Sequence, residues 1–320
     1  MEKSAFEKTL CDFTHNDTGN YVAQETAIRP ELAGMRIFDE PLFGYAAASD
    51  PLFTRLKKPE IIGDHFVLPQ AWLEGAQTVI SVFFPFTQEV KKANGADMSW
   101  PADEWLHARI EGQEFQKKMC RAAAELLVKD GHAAAAPMID PRFTVWHPHI
   151  RDKNRQTYYT SNWSERHIAF VCGIGTFGLS AGLITPKGIA GRLISLITTA
   201  AFEPTNRGYT KYDEYCIFCG ACVRNCPAGA ISVEKGKNHP PCSAFLDRVK
   251  EKHMPRYGCG KCQVKVPCEN KIPEKMRNGE RPQKGAAYRK VLVVTEHQST
   301  AAYIFSRSSR FRSSSEGSAG

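Results

Sequence analysis

The chain has 320 residues, 42% of them hydrophobic and 24% charged, which excludes wholesale disorder and, at about 150 residues per domain, implies roughly two domains. The longest apolar stretch, Leu193 to Phe202, is broken by Ser195, Thr198 and Thr199, so no segment reaches the 18 or so uninterrupted apolar residues of a membrane helix. The formal charge of +8 does not describe a basic nucleic-acid-binding body, because residues 281–320 alone carry +5 of it.

Along the chain, Glu2, Lys3, Glu7, Lys8 and Asp12 leave no apolar leader, and a cytoplasmic location is expected. Residues 1–75 mix short helical patterns with turn signals at Arg29-Pro30, Glu40-Pro41, Asp50-Pro51 and Lys58-Pro59 and are read as a cap. Thr78 to Phe84, β-branched and aromatic and closed by Pro85, predicts a buried strand. A long helix follows: Pro101, Asp103 and Glu104 suit its first turn, Phe115, Met119, Ala122 and Leu126 recur at helical spacing, and Gly131 suits its end. Ala133–Ile139 reads as a strand, Ser164–Val171 as a helix, and Gly182–Thr185 and Leu193–Thr199 as strands. The alternation predicts a helix-covered sheet, α/β or α+β, over 76–205. Over 206–275 the apolar periodicity stops and Gly and Pro recur every few residues, so metal is expected in place of a core. Residues 276–305 form an extension, and 306–320, with seven serines and three arginines, read as a disordered tail.

Eight of the eleven cysteines fall between Cys216 and Cys268. In a reducing compartment such density points to metal rather than disulfides. Cys216-Ile-Phe-Cys219-Gly-Ala-Cys222-Val-Arg-Asn-Cys226-Pro227 fits the bacterial ferredoxin run C-x2-C-x2-C-x3-C-P without a mismatch. In that run three thiolates wrap one four-iron four-sulfur cluster, and the fourth, turned away by the proline, reaches a second. A single tetrahedral zinc site would leave Cys222 and Cys226 in excess. With Cys242, Cys259, Cys262 and Cys268 the count closes at eight ligands. Cys216, Cys219 and Cys222 with Cys268 are assigned to one cluster, and Cys226 with Cys242, Cys259 and Cys262 to the other, the late cysteines being open to exchange between them. Cys11, Cys120 and Cys172 read as small buried hydrophobes.

Gly173-Ile-Gly175-Thr-Phe-Gly178 contains G-x-G-x-x-G, but a helical pattern precedes it, a strand follows, and no acid occurs before Glu203. That context is not a dinucleotide fingerprint. The glycines predict close backbone approach, either to another element or to a flat ligand. His147-Pro-His149 has no carboxylate at ligand spacing and reads as surface.

The series Ser164-Glu165-Arg166-His-Ile-Ala-Phe-Val-Cys-Gly173-Ile-Gly175-Thr-Phe-Gly178, then Leu183-Ile-Thr-Pro-Lys-Gly188, the ferredoxin run, and Tyr257-Gly-Cys259-Gly-Lys-Cys262-Gln263 resembles epoxyqueuosine reductases and their relatives the reductive dehalogenases, over roughly 65–275. The resemblance implies an α+β fold: a nitroreductase-like α/β sandwich binding base-off cobalamin, followed by a small two-cluster ferredoxin-like domain. It implies Glu165, Arg166, Gly173, Gly175 and Gly178 as cofactor-binding residues. Its members' further Cys-Pro after the cysteine at Cys262 is replaced by Val266-Pro267, and Cys268 is inferred to take that ligand's role. Their catalytic aspartate, six residues before the Glu-Arg pair, corresponds to Tyr159, and tyrosine is the proton donor of reductive dehalogenases. Helical repeats that some members carry after the ferredoxin part are absent.

Two functions are therefore weighed. In one, an external low-potential donor of ferredoxin or flavodoxin type feeds two clusters and a cobalamin that reduces a small-molecule or modified-nucleoside substrate. Tyr159 then donates a proton, its pKa lowered by Arg151, Lys153, Arg155 and Arg166. In the other, the chain is a non-catalytic two-cluster carrier.

Overall fold

The computed structural model describes residues 1–146 and 159–274. The first helix, α1 (Lys3–Asn16), buries Phe6, Leu10 and Thr14, four residues apart and so on one face. The sheet is built from β1 (Leu42–Ala47) and β2 (Thr78–Pro85), and, beyond helices α2 (Gln88–Ala96) and α3 (Asp103–Lys129), from the two-residue β3 (Ala134–Ala135). Helix α4 (Glu165–Val171), β4 (Gly191–Thr198) and helix α5 (His239–His253) complete the principal elements. The sheet order is β1-β2-β4-β3. Every pairing is antiparallel, with Leu42 opposite Phe83, Thr78 opposite Thr198 and Pro85 opposite Gly191.

All eight residues of β2 are buried, because helices cover both faces. The two-residue period of a strand sends Ile80, Val82 and Phe84 into a core with α1 and α3, where Phe115 and Met119 lie. Val79 points the other way, into a second core with Phe53, Phe66, Trp72 and Trp163 beside α4. There Trp163 stacks on Phe66 with ring centroids 5.5 Å apart and donates its indole N–H to Ser195 Oγ at 2.8 Å. No described helix is long and apolar enough to cross a membrane.

The long helix starts with Asp103 and Glu104 in its first turn, where carboxylates favour the helix dipole. It ends where Gly131 takes φ +84°. Its buried stripe drifts from the Ala122 and Leu126 expected to Ala123 and Leu127, as a 3.6-residue period does over 27 residues. Two elements differ from expectation. Leu42–Ala47, inside the segment read as a cap, is a full strand of the sheet. Of Ala133–Ile139 only Ala134 and Ala135 pair; Pro137, which has no N–H for a ladder, opens a short 3-10 turn, Pro137–Ile139.

The close backbone approach expected of Gly173, Gly175 and Gly178 is made to other elements of the fold. Gly173 adopts φ +84°, and a Cβ there would meet the Thr205 side chain at 2.9 Å. A Cβ on Gly175 would stand 2.1 Å from the Ile184 carbonyl oxygen, and one on Gly178 would touch the Ile184 side chain at 3.3 Å. The close approach is to the hairpin in which Thr176 pairs with Ile184 and Phe177 with Leu183. Gly175→Ala is therefore expected to lower unfolding stability by more than about 2 kcal/mol in a urea titration, before any cofactor is added; Gly34→Ala, whose Cβ meets nothing within 4 Å, costs only the strain of its positive φ.

Candidate functional site

Cys216, Cys219, Cys222 and Cys268 line one cavity, against Leu179, Ile184 and Ile189. The ferredoxin run wraps it by left-handed turns at Phe218 (φ +54°) and Gly220 (φ +70°), followed by a single helical turn, Ala221–Arg224. Cys268 arrives from the far end of the block. Ile189 N donates to its carbonyl at 2.8 Å, pinning it to the loop before β4. Burial, then the neighbouring thiols, raise the Cys222 pKa, and burial with Cys216 and Cys219 pushes Cys268 up to about 12.

Cys226, Cys242, Cys259 and Cys262 line a second, larger cavity. Cys242 is carried by α5, and Cys259 and Cys262 by a tight loop in which Gly260 takes φ +65°. A Cβ on Gly260 would lie 1.9 Å from the Trp105 ring, so this loop closes on α3 only as glycine. Between the two thiols, the fully buried Lys261 donates to Asn94 O at 2.5 Å and Asn94 Oδ1 at 2.8 Å, and burial pulls its pKa down to about 8. Asn94 Nδ2 donates in turn to Cys259 O at 2.9 Å. The Cys259 thiol is pushed up to about 12, chiefly by burial. Cys262 also perturbs Cys222 and Cys268, so the two quartets are near neighbours. Among the described residues no three His, Cys, Asp or Glu side chains converge as for a single metal ion; each quartet surrounds a space instead.

The larger cavity is shared with the sheet half of the molecule. Phe83 of β2, Arg192 and Leu193 of β4, and Trp105 and Arg109 of α3 form its other wall, around a cavity of about 160 Å³ partly open to solvent. Its charged lining residues, Arg109, Arg166, Arg192, Lys237 and Lys261, are all cations. Arg109 donates to Gln113 Oε1 at 2.5 Å and to the Tyr257 hydroxyl, and its guanidinium lies 4.5 Å from the Tyr257 ring centroid.

Of the other expected site residues, Arg166 lines this cavity and donates to Ala181 O at 2.6 Å. Glu165 is buried in the first turn of α4 and is not among the lining residues. Tyr159, 8% exposed, shares a hydrogen bond with Ser243 Oγ, next to Cys242; it too is not among the lining residues. Gly173 and Gly175 touch neither cavity, while Gly178 lines that of the first quartet. Cys120 and Cys172 are fully buried and Cys11 partly so, all with raised pKa values from burial. Arg151, Lys153, Arg155, His147 and His149 lie outside the described residues. Sequence reasoning missed Arg109, Arg192, Lys237, Asn94 and Lys261. Only Lys261, set between two cysteines, carried a readable signal.

A family model described as a 4Fe-4S binding domain matches residues 209–232. No curated protein matches the chain. Among solved structures, the chain is similar to epoxyqueuosine reductase from Bacillus subtilis, with 16% identity over 87% of this chain and 68% of that one and a TM-score of 0.44. It is similar also to an epoxyqueuosine reductase bound to a tRNA-Tyr epoxyqueuosine-modified stem loop, with 16% identity, coverage of 89% and 69%, and a TM-score of 0.46. The catabolic reductive dehalogenase NpRdhA aligns at 15% identity over 72% of this chain but only 30% of its own, with a TM-score of 0.43.

Asn94→Ala removes an acceptor from Lys261 and from Ala102 N–H, and the donor to Cys259 O. At about 1–3 kcal/mol per orphaned buried group, it is expected to lower the unfolding midpoint in urea clearly below that of the wild type. Asn94→Asp, which keeps the acceptors and loses only the donor, is expected to fall between the two.

Proposed function

We propose that the chain is an iron–sulfur oxidoreductase that passes low-potential electrons through two four-iron four-sulfur clusters to a base-off cobalamin, at which a small-molecule or modified-nucleoside substrate is reduced. The observation that carries this reading is the shared cavity: the second thiol quartet forms one wall and the sheet residues Phe83, Arg192 and Leu193 the other. A non-catalytic carrier has no use for such a chamber behind its cluster.

The residues fit the groups. Eight thiols stand as two quartets of four, the ligand number each cluster needs. The larger cavity is walled on one side by thiols and on the other by the sheet. Its described lining contains no histidine, which suits a cobalamin held without a protein imidazole. When bound, the clusters supply single electrons and the cobalamin a strongly reducing metal centre.

The chain's own residues then bind and protonate. Arg166 and Lys237 offset the negative charge of the cluster wall. Arg109 and Arg192 present guanidinium groups to whatever anionic edge enters. Tyr159, whose hydroxyl shares a hydrogen bond with Ser243 Oγ beside Cys242, is the proposed proton donor.

Anaerobic reconstitution is expected to yield about eight irons per chain and uptake of one cobalamin. About four irons, or zinc, would overturn the two-cluster reading, and eight irons without cobalamin uptake would leave the carrier. Cys216→Ser and Cys259→Ser should each lose about half the iron, and Cys172→Ser none. Tyr159→Phe should keep both cofactors yet slow multiple-turnover reduction by about 100- to 10,000-fold; a rate within threefold of wild type would place the proton elsewhere.

A further inference from the structure

Cys226 lines a second depression as well as the cavity: an open groove shared with Met98, Trp100, Arg224, Phe245 and Arg248. Along α5, Phe245, Arg248 and Lys252 recur at i, i+3 and i+7 and so share one face. Trp100 packs edge-on to Phe245 at 5.6 Å between centroids. The Arg248 guanidinium lies 5.6 Å from the Phe245 ring and the Lys252 ammonium 5.2 Å from that of Trp100. Arg224, Arg248 and Lys252 are exposed, and no lining residue is acidic. Asp97, beside the groove, is engaged by Ser99 N and Oγ at 2.8 and 2.7 Å, and Asp247 and Glu251 fall on the neighbouring stripe of the helix.

We infer that this groove is where the electron donor docks, and that the donor is a small acidic one-electron protein of ferredoxin or flavodoxin type. The inference rests on the iron–sulfur reading above. A cationic rim steers an acidic partner and sets its orientation, and the groove borders both quartets, through Cys226 of the second and through Arg224, which donates to the carbonyl of Cys219 of the first at 3.2 Å. In each encounter the donor is oxidised by one electron and the cluster reduced by one, with no bond made or broken.

The test follows cluster bleaching anaerobically, driven either by a reduced acidic bacterial ferredoxin or by dithionite. Arg248→Glu/Lys252→Glu is expected to slow ferredoxin-driven reduction at least about tenfold at low ionic strength, with the difference shrinking near 0.5 M salt. Its iron content and dithionite-driven rate should match wild type, as should all rates of Lys8→Glu, whose exposed side chain pairs with Asp12 on α1. If the reversed pair loses iron, Arg248→Gln/Lys252→Gln is read in the same way. A ferredoxin-driven rate within twofold of wild type, or one insensitive to salt, would overturn the docking site while dithionite still bleaches both clusters. A wild-type chain with nothing for dithionite to bleach would overturn the iron–sulfur reading itself. Unchanged ferredoxin rates with lost binding of a tRNA stem loop would assign the groove to nucleic acid instead.

Discussion

Sulfur that is to hold iron must be ionised, and burial opposes ionisation. The thiols of Cys222, Cys259, Cys262 and Cys268 are all shifted upward, with burial as the first cause. Fixed positive charge offsets this. Lys237 shows the balance directly: burial works against its ammonium, and the charges of Cys242, Cys262 and Cys259 outweigh burial and raise its pKa. The cations that act on the thiols, Lys237 on Cys262 and Lys261 on Cys259, belong to the cysteine block itself. Lys261 is nevertheless held by Asn94 of α2, so the block's charge is positioned by the sheet half of the molecule.

Helix α3 makes that dependence mechanical. Its later turns give Phe115, Met119 and Leu127 to the sheet core, while its first turns face the cysteine block through Trp105, Arg109 and Glu111. His107 accepts from Ile28 N at Nε2, 3.0 Å away, so its proton sits on Nδ1, 3.2 Å from Glu111 Oε2. Glu111 also pairs with Arg256, just beyond α5. Burial alone would raise the Glu111 pKa; His107 and Arg256 outweigh it and hold the carboxyl below its ordinary value. One half-buried carboxylate thus joins the N-terminal segment, the long helix and the cysteine block.

The sequence was most legible where a local rule dominates. A β-branched run became β2, an amphipathic repeat with an acidic first turn became α3, and a ferredoxin spacing gathered Cys216, Cys219 and Cys222 around one space. It was least legible where contacts are made across the chain. β1 has no alternating pattern of its own and is a strand because β2 offers it an edge. The glycine triplet demanded close neighbours without saying which, and they are Thr205 for Gly173 and Ile184 for Gly175 and Gly178. Arg109 and Arg192 look like ordinary surface charges on a helix and a strand end until the cysteine block closes over them.

The two quartets are nested rather than consecutive. The first takes Cys216, Cys219 and Cys222 and is completed only by Cys268, so Cys226, Cys242, Cys259 and Cys262 all lie within the span it encloses. A chain emerging from its N-terminus therefore presents three sulfurs of the first set early and must finish the whole of the second before the fourth arrives. Cys268 is in turn seated by Ile189 N–H, a group belonging to the sheet half. Completion of the first set thus acts as a latch: it ties the two ends of the cysteine block together at a residue already fastened to the sheet half.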